Sequence, residues 1–428
     1  MAQGRGSGSP TGADRNRPRR RRLGATAGVV LIGLAALLPA ACADQAARDS
    51  ESAGASSAAR STGPAVTLAP PATPSPTATP TTQSPQPPKQ PGTPTPAQSA
   101  MAGQRIIYSY KGLNPPAQLL SLIRAGQVAG VIFFGDNISS ESQIGAVVAE
   151  LNQAQQQSPV HLPLLLMTDQ EGGQIRRLPG APDLSEEQIG QSGDAQSQAS
   201  AAGTSAGQNL HGVGMNVNLA PVLDVYYQAG DFIEQNQRSY SNNPSVVSTL
   251  GTAFIAAQQR TGVAATAKHF PGLGSAPSGA DTDNGPVTLS VSLSQLRNTD
   301  EVPYESAIDA GVKLIMVSWA VYPALDPNLP AGLSSTVVQQ ELRGHLGYTG
   351  VTITDALEAG ALNAYGTPAQ RAEDAAAAGM DLILCSSGEV SQGQEAAAGL
   401  ADALADGKLS QSGFSAAVNR VDALRSGL

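Results

Sequence analysis

The sequence predicts a (β/α)8 barrel, an α/β fold, and three observations predict it. From Met101 onward, eight strand-like runs alternate with amphipathic or alanine-rich helical runs. Most of the strand runs are continuously apolar rather than alternating, as parallel strands buried on both faces are. Several helical runs end in a glycine just before the next strand, where a helix turns back to a sheet. Eight strands in β–α order over roughly 330 residues fit a closed barrel. A doubly wound open sheet with the same order is the competing fold. No GxGxxG or GxxxxGKS/T follows an early strand, which counts against a nucleotide site.

The expected strands are Ile106–Tyr110, Gly130–Phe134, Leu162–Thr168, Asn216–Val222, Ala264–His269, Leu314–Ser318, Val351–Ile353 and Asp381–Leu384. Helices are expected at Ser142–Gln157, Ser197–Leu210, Pro244–Thr261, Ser335–Leu346 and Pro368–Gly379. Gly214, Gly262, Gly311, Gly350 and Gly379 supply the returning turns. A last amphipathic segment, Ser410–Arg425, is expected to pack outside the barrel. No second folded domain is read.

Ahead of the barrel the chain changes character twice. Residues 1–41 read as an export signal: seven Arg and one acid up to Arg22, an apolar run Leu23–Leu38, then small residues before Cys42. The apolar run is shorter than the ~20 residues a membrane span needs. Ala40-Ala41-Cys42 resembles a bacterial lipobox, which implies an acylated Cys42, although Leu38 lies one place further from the cysteine than usual. A plainly secreted protein is the alternative. Residues 42–100 are Ser, Thr, Ala, Pro and Gln, too poor in large apolar side chains to fold, and read as a tether. The folded domain is expected over 101–428.

Without residues 1–41 there are 18 basic and 33 acidic residues, a net −15. Such a balance argues against nucleic acid as a partner. Besides Cys42 the one cysteine is Cys385, after an apolar run, so it reads as a buried small hydrophobe. Cysteine–histidine metal spacings are absent, and neither metal nor organic cofactor is expected.

In a parallel barrel the chemistry is assembled just after each strand. After the third strand comes Asp169-Gln170-Glu171-Gly172-Gly173, and the fourth leads to Asp224, with Glu234 and Arg238-Ser239-Tyr240 in its loop. The fifth delivers Lys268-His269, the sixth Trp319, and the seventh Asp355 and Glu358. Carboxylates held among cations suit glycoside chemistry, in which one carboxylate attacks the anomeric carbon and a second acid protonates the leaving oxygen. Asp355, leaving a buried strand near cations, is the nucleophile candidate, and capping of a following helix is its structural alternative.

Asp169-Gln-Glu-Gly-Gly, Arg238-Ser-Tyr, Lys268-His-Phe-Pro-Gly and Thr354-Asp-Ala-Leu, in this order, resemble glycoside hydrolase family 3. The resemblance is to its single-domain bacterial β-N-acetylglucosaminidases, which trim cell-wall fragments. It runs over Ile106 to Leu428 and implies a retaining mechanism through a covalent glycosyl–Asp355. It also implies that Asp169, Arg177, Arg238, Lys268 and His269 grip the terminal N-acetylglucosamine.

Two positions depart from that pattern. The relatives' loop after the Lys-His strand reads roughly Pro-Gly-His-Gly and then Asp-Ser-His, the last His being the acid/base. Here it reads Pro271-Gly-Leu-Gly and then Asp281-Thr-Asp283. None of the four histidines (His161, His211, His269, His345) lies in it. Either Asp283 is the acid/base, with Asp281 raising its pKa by like-charge repulsion, or proton transfer is impaired. An Asx turn is the structural reading of this stretch. Trp319 stands where relatives commonly have His, as a sugar platform or as filling. The expectation is a monomeric, lipid-anchored, extracytoplasmic hydrolase releasing β-linked N-acetylglucosamine from saccharide fragments of the cell wall. A disabled sugar-binding lipoprotein and a different glycone specificity are the alternatives.

Overall fold

In the computed structural model, which describes residues 92–428, the eight runs are the eight strands of one closed parallel barrel. They are β1 (Ile106–Tyr108), β2 (Gly130–Ile132), β3 (Leu165–Thr168), β4 (Val217–Asn218), β5 (Ala264–Phe270), β6 (Leu314–Val317), β7 (Val351–Ala356) and β8 (Leu382–Leu384). Each pairs with its neighbours in the chain, and β8 closes on β1 with Ile106 opposite Ile383. The open sheet is thereby excluded.

Alternate residues explain the unbroken apolar runs. Ile107, Leu165, Val217, Leu314, Ile353 and Leu382 fill the barrel interior. Their chain neighbours Ile106, Leu166, Ile315 and Ile383 pack outward under the helices. β4 is shorter than its run, and beyond Asn218 the pairing is continued by Leu219 N to Thr168 O and Thr266 N to Ala220 O, both at 3.0 Å, and by a bridge between Val222 and Lys268, with Pro221 supplying no N–H of its own.

The helices surround the strands: α1 (Pro96–Gly103), α2 (Ala117–Arg124), α3 (Glu141–Gln156), α4 (Ala195–Gly212), α5 (Pro244–Gln259), α6 (Val302–Asp309), α7 (Pro368–Ala378), α8 (Val390–Asp406) and α9 (Gln411–Ser426). The expected Ser335–Leu346 helix is π-helical over Thr336–His345. It ends early, so Gly347, at φ 73°, makes the left-handed turn expected of Gly350. Gly214, Gly262, Gly311 and Gly379 turn as expected, all with positive φ.

Two boundaries differ from expectation. The tether expected to reach Ala100 gives way to α1 at Pro96. Thr95 Oγ1 accepts from Gln98 N at 3.2 Å and Gln98 Oε1 accepts from Thr95 N at 2.9 Å, a capping box with proline at the first helical position. Just ahead of it, Gly92 N donates to Asp406 Oδ1 at 2.7 Å, which ties the segment to α8. The export signal, Cys42 and the tether up to residue 91 lie outside the described residues. At the other end, α9 does not merely pack outside the barrel. Val421 and Leu424 join the interior cluster, and buried Arg425 donates to Pro163 O and to the Gln104 side chain, so α9 closes the N-terminal mouth.

Candidate active site

The C-terminal ends of the strands open into a cavity of about 360 Å³. Asp169, Arg177, Arg238, Lys268, His269, Asp281, Asp283 and Asp355 all line it. Trp319 does not.

One wall is built on the ends of β3 and β5. Lys268 Nζ lies 2.7 Å from Asp169 Oδ1 and 2.7 Å from Glu171 Oε1. Arg238, from the loop after β4, grips Glu171 with two bonds, Nε to Oε2 at 2.9 Å and Nη2 to Oε1 at 2.8 Å. Two cations thus meet two carboxylates in a nearly dry setting. Burial would push the Glu171 carboxyl up, but Arg238 and Lys268 overcome it and hold it well below its usual range. Burial likewise opposes the Lys268 ammonium, and Asp169 with Glu171 reverses this, so it stays charged. The motif containing Asp169 and Glu171 is a small hairpin, Gln170–Gly172 against Ile175–Arg176, turned by Gly172 and Gly173 at φ 123° and 54°. The fully buried Gln170 side chain fastens it by bonding both ways to the backbone of Leu178.

His269 is fixed by Asp224, a fully buried carboxylate. Its Oδ2 lies 2.8 Å from His269 Nδ1, and its Oδ1 accepts from His269 N at 3.2 Å and Leu273 N at 2.7 Å. His269 Nε2 lies 3.5 Å from Arg238 Nη2, an atom that can only donate. The proton therefore sits on Nδ1, toward Asp224. Arg177 donates its backbone N–H to Asp169 O at 3.1 Å, while its Nε is buried without a partner beside the cavity.

The opposite wall is acidic. Asp355 leaves β7 with Oδ1 accepting from Ala356 N at 2.8 Å. The strand continues through Ala356, so Asp355 does not cap a helix. Trp319 is fully buried and donates Nε1–H to Ala356 O at 2.8 Å. This corrects the sugar-platform reading: the indole lies beneath the site and steadies the residue after Asp355. Asp281 folds its own turn, accepting from Asp283 N at 2.9 Å and Asn284 Nδ2 at 2.8 Å, as an Asx turn does. The Asp283 carboxyl has no such bond. Burial first, then the charges of Asp355 and Asp281, push its pKa up to about 6.

Three residues of the site were given no role from sequence. Glu171, Asp224 and Glu358 all follow strands, which is a signal of position but not of partner. Glu358 accepts from Ser386 Oγ at 2.7 Å and Gln392 Nε2 at 3.1 Å, which sets it beside the acidic wall, where its charge also raises Asp283. His161, His211 and His345 are exposed and do not line the cavity. Cys385 is buried and unpaired, and burial pushes its thiol well up.

Residues 101–424 match the glycosyl hydrolase family 3 N-terminal domain. The chain is 45% identical over 332 residues to an uncharacterized secreted glycosyl hydrolase of Arthroderma benhamiae, covering 77% of this chain and 94% of that protein. Among solved structures it resembles a family 3 β-N-acetylglucosaminidase from Paenibacillus sp. FPU-7, with a TM-score of 0.72 and 34% identity, over 77% of this chain and 62% of that one. It also resembles a β-N-acetylhexosaminidase from Beutenbergia cavernae, with a TM-score of 0.70 and 30% identity, over 77% of this chain and 98% of that one. The chain belongs to glycosyl hydrolase family 3.

Proposed function

We propose that this family 3 glycosidase is a retaining β-N-acetylhexosaminidase that removes terminal β-linked N-acetylglucosamine from peptidoglycan fragments. The observation that carries the reading is the pairing of Asp355 with a carboxyl, Asp283, whose pKa of about 6 leaves it able to give and take a proton. Asp169, Arg177, Arg238, Lys268 and His269 hold the sugar's polar groups on the wall opposite. An Asp355 oxygen then attacks the anomeric carbon while the Asp283 proton passes to the glycosidic oxygen, and the aglycone leaves as an alcohol. The glycosyl–Asp355 ester is cleaved by water, whose proton returns to Asp283, and the free sugar departs with its β configuration. Cell-wall fragments are favoured as substrate by the motif resemblance and by the export-type N-terminal segment. In that setting an acylated Cys42 holds a monomer at the outer face of the membrane.

The test is turnover of an aryl β-N-acetylglucosaminide and of a disaccharide fragment, with anomeric product configuration followed by NMR. A second reading rests on both loop histidines of the relatives being replaced, by Leu273 and by Asp283 at the acid/base position, which makes the protein a sugar-binding lipoprotein with impaired proton transfer. No turnover of either substrate, with N-acetylglucosamine still bound in calorimetry, selects that second reading. Product released with inverted configuration would sink the covalent mechanism.

A further inference from the structure

The loop that carries Asp283 is anchored at several points along its length. Tyr322 Oη donates to Gly272 O at 2.9 Å, Leu273 N to Asp224 at 2.7 Å, and Val321 N to Val287 O at 2.8 Å. Its tip is held by different means. Gly360 N donates to Asp283 O at 2.8 Å and Ala361 N to Thr282 O at 3.0 Å. Both donors belong to the segment that follows Asp355, five and six residues further along the chain. The carboxyl that gives the proton and the carboxyl that attacks are thus joined through one short stretch of backbone.

The approach is close enough to require glycine. A Cβ on Gly360 would lie 2.6 Å from the Asn284 carbonyl carbon and 2.9 Å from Asp283 O, both backbone atoms that no rotamer can move. Gly360 has no left-handed φ, so its backbone conformation suits other residues. The need for glycine comes from the contact with the loop alone. Neither Gly360 nor Ala361 lines the cavity, so neither meets the sugar.

We propose that Gly360 is a positioning residue that clamps the acid/base loop to the nucleophile's own loop, so that Asp283 is set before substrate arrives. The role in proton transfer rests on Asp283 being the acid/base, whereas the clamp itself does not. Binding therefore need not order this loop, and an alanine at 360 should release the tip while leaving Asp355 on β7.

The test is Gly360→Ala, with folding checked by thermal melting and two independent readouts. Hydrogen exchange reads the clamp: amides 282–285 and 360–361 should be protected in the wild type without ligand and exchange about tenfold faster or more in the variant. Kinetics read the consequence. On the disaccharide, kcat should fall by about 10-fold to 100-fold with KM little changed, whereas an aryl glycoside with an excellent leaving group should lose no more than about threefold. Unprotected wild-type amides, or unchanged exchange in the variant, would overturn the clamp whatever the protein's activity. Altered exchange with disaccharide and aryl rates falling in parallel would overturn the positioning role, because the damage would then lie at Asp355. If the wild type hydrolyses nothing, the glycosidase reading fails and exchange alone decides the clamp. If Gly360→Ala does not fold, exchange in the wild type decides: amides 360 and 361, which donate to the loop tip, exchanging without protection overturn the proposal.

Discussion

On one side of the cavity Glu171 lies between Lys268 and Arg238; on the other Asp283 faces Asp355 and Asp281 with no hydrogen-bonded cation among the described residues. Glu171 is buried and Asp283 stands exposed at the rim of the cavity, and their neighbours drive their protonation apart. The first is surrounded by opposite charge and stays ionised through any ordinary pH, so its wall has fixed geometry and fixed charge. The second is surrounded by like charge, so a proton is the cheapest counter-ion it can find. Burial alone does not set a carboxyl's chemistry; the sign of its neighbours does.

The severest way to break this comparison is Asp355→Asn, which removes the oxygen proposed to attack and also one of the charges that raises the Asp283 pKa. Turnover should fall on the order of 10⁴-fold or more on every substrate, activated aryl glycosides included. Asp283→Asn should cost about 10²–10⁴-fold on a disaccharide and far less where the leaving group needs no proton. The wild-type disaccharide rate should also decline above pH of about 6, as the acid loses its proton, and Asp283→Asn should abolish that limb. A limb that survives in the variant would assign the proton to another group.

Glu171→Gln attacks the compensated wall. It leaves Lys268 and Arg238 buried against Asp169 alone, a loss of the order of 3–5 kcal/mol when one partner of a buried ion pair is removed. A lowered Tm and weakened sugar binding are expected, without a new pH limb. Asp300 sharpens the contrast from a third direction. Fully buried, it accepts only the Tyr227 hydroxyl, at 2.8 Å. Burial pushes its pKa up to about 7, the Tyr227 bond partly offsets this, and the Asp224 charge adds to it. The unfolded carboxyl ionises near pH 4 and the folded one near 7. Its contribution to stability is therefore complete below about pH 4 and lost as pH rises to about 7. Asp300→Asn should flatten that part of the Tm-against-pH curve. The smallest effect is expected of Trp319→Phe, which keeps the packing and removes one of two bonds to Ala356 O, Ala359 N still donating at 3.1 Å, a cost of about 0.5–1.5 kcal/mol in stability with specificity unchanged.

The barrel was legible because burial on both faces of each strand writes a continuous apolar run, and glycine marks most of the returns. Four cavity-lining residues were legible because Asp169, Lys268, His269 and Asp355 sit directly at strand ends. What could not be read depends on contacts across the fold. Glu171 is two residues from Asp169, but its importance comes from Arg238, which lies 67 residues away in sequence. Trp319 has the composition of a sugar platform and the environment of a core residue. That difference depends on Gly332, where an added Cβ would meet the indole at 2.5 Å. The amphipathic pattern of α9 shows one apolar face but not that this face plugs the barrel's lower mouth.

Gly92 beside Asp406, and Arg425 against Pro163 ahead of β3, bring both ends of the described chain out on the face opposite the cavity. The molecule therefore has a mounting side and a working side. Held by either end to a bead, a sensor chip or a bilayer, the domain can keep its opening turned outward, and long or branched saccharides can approach without competing with whatever carries it.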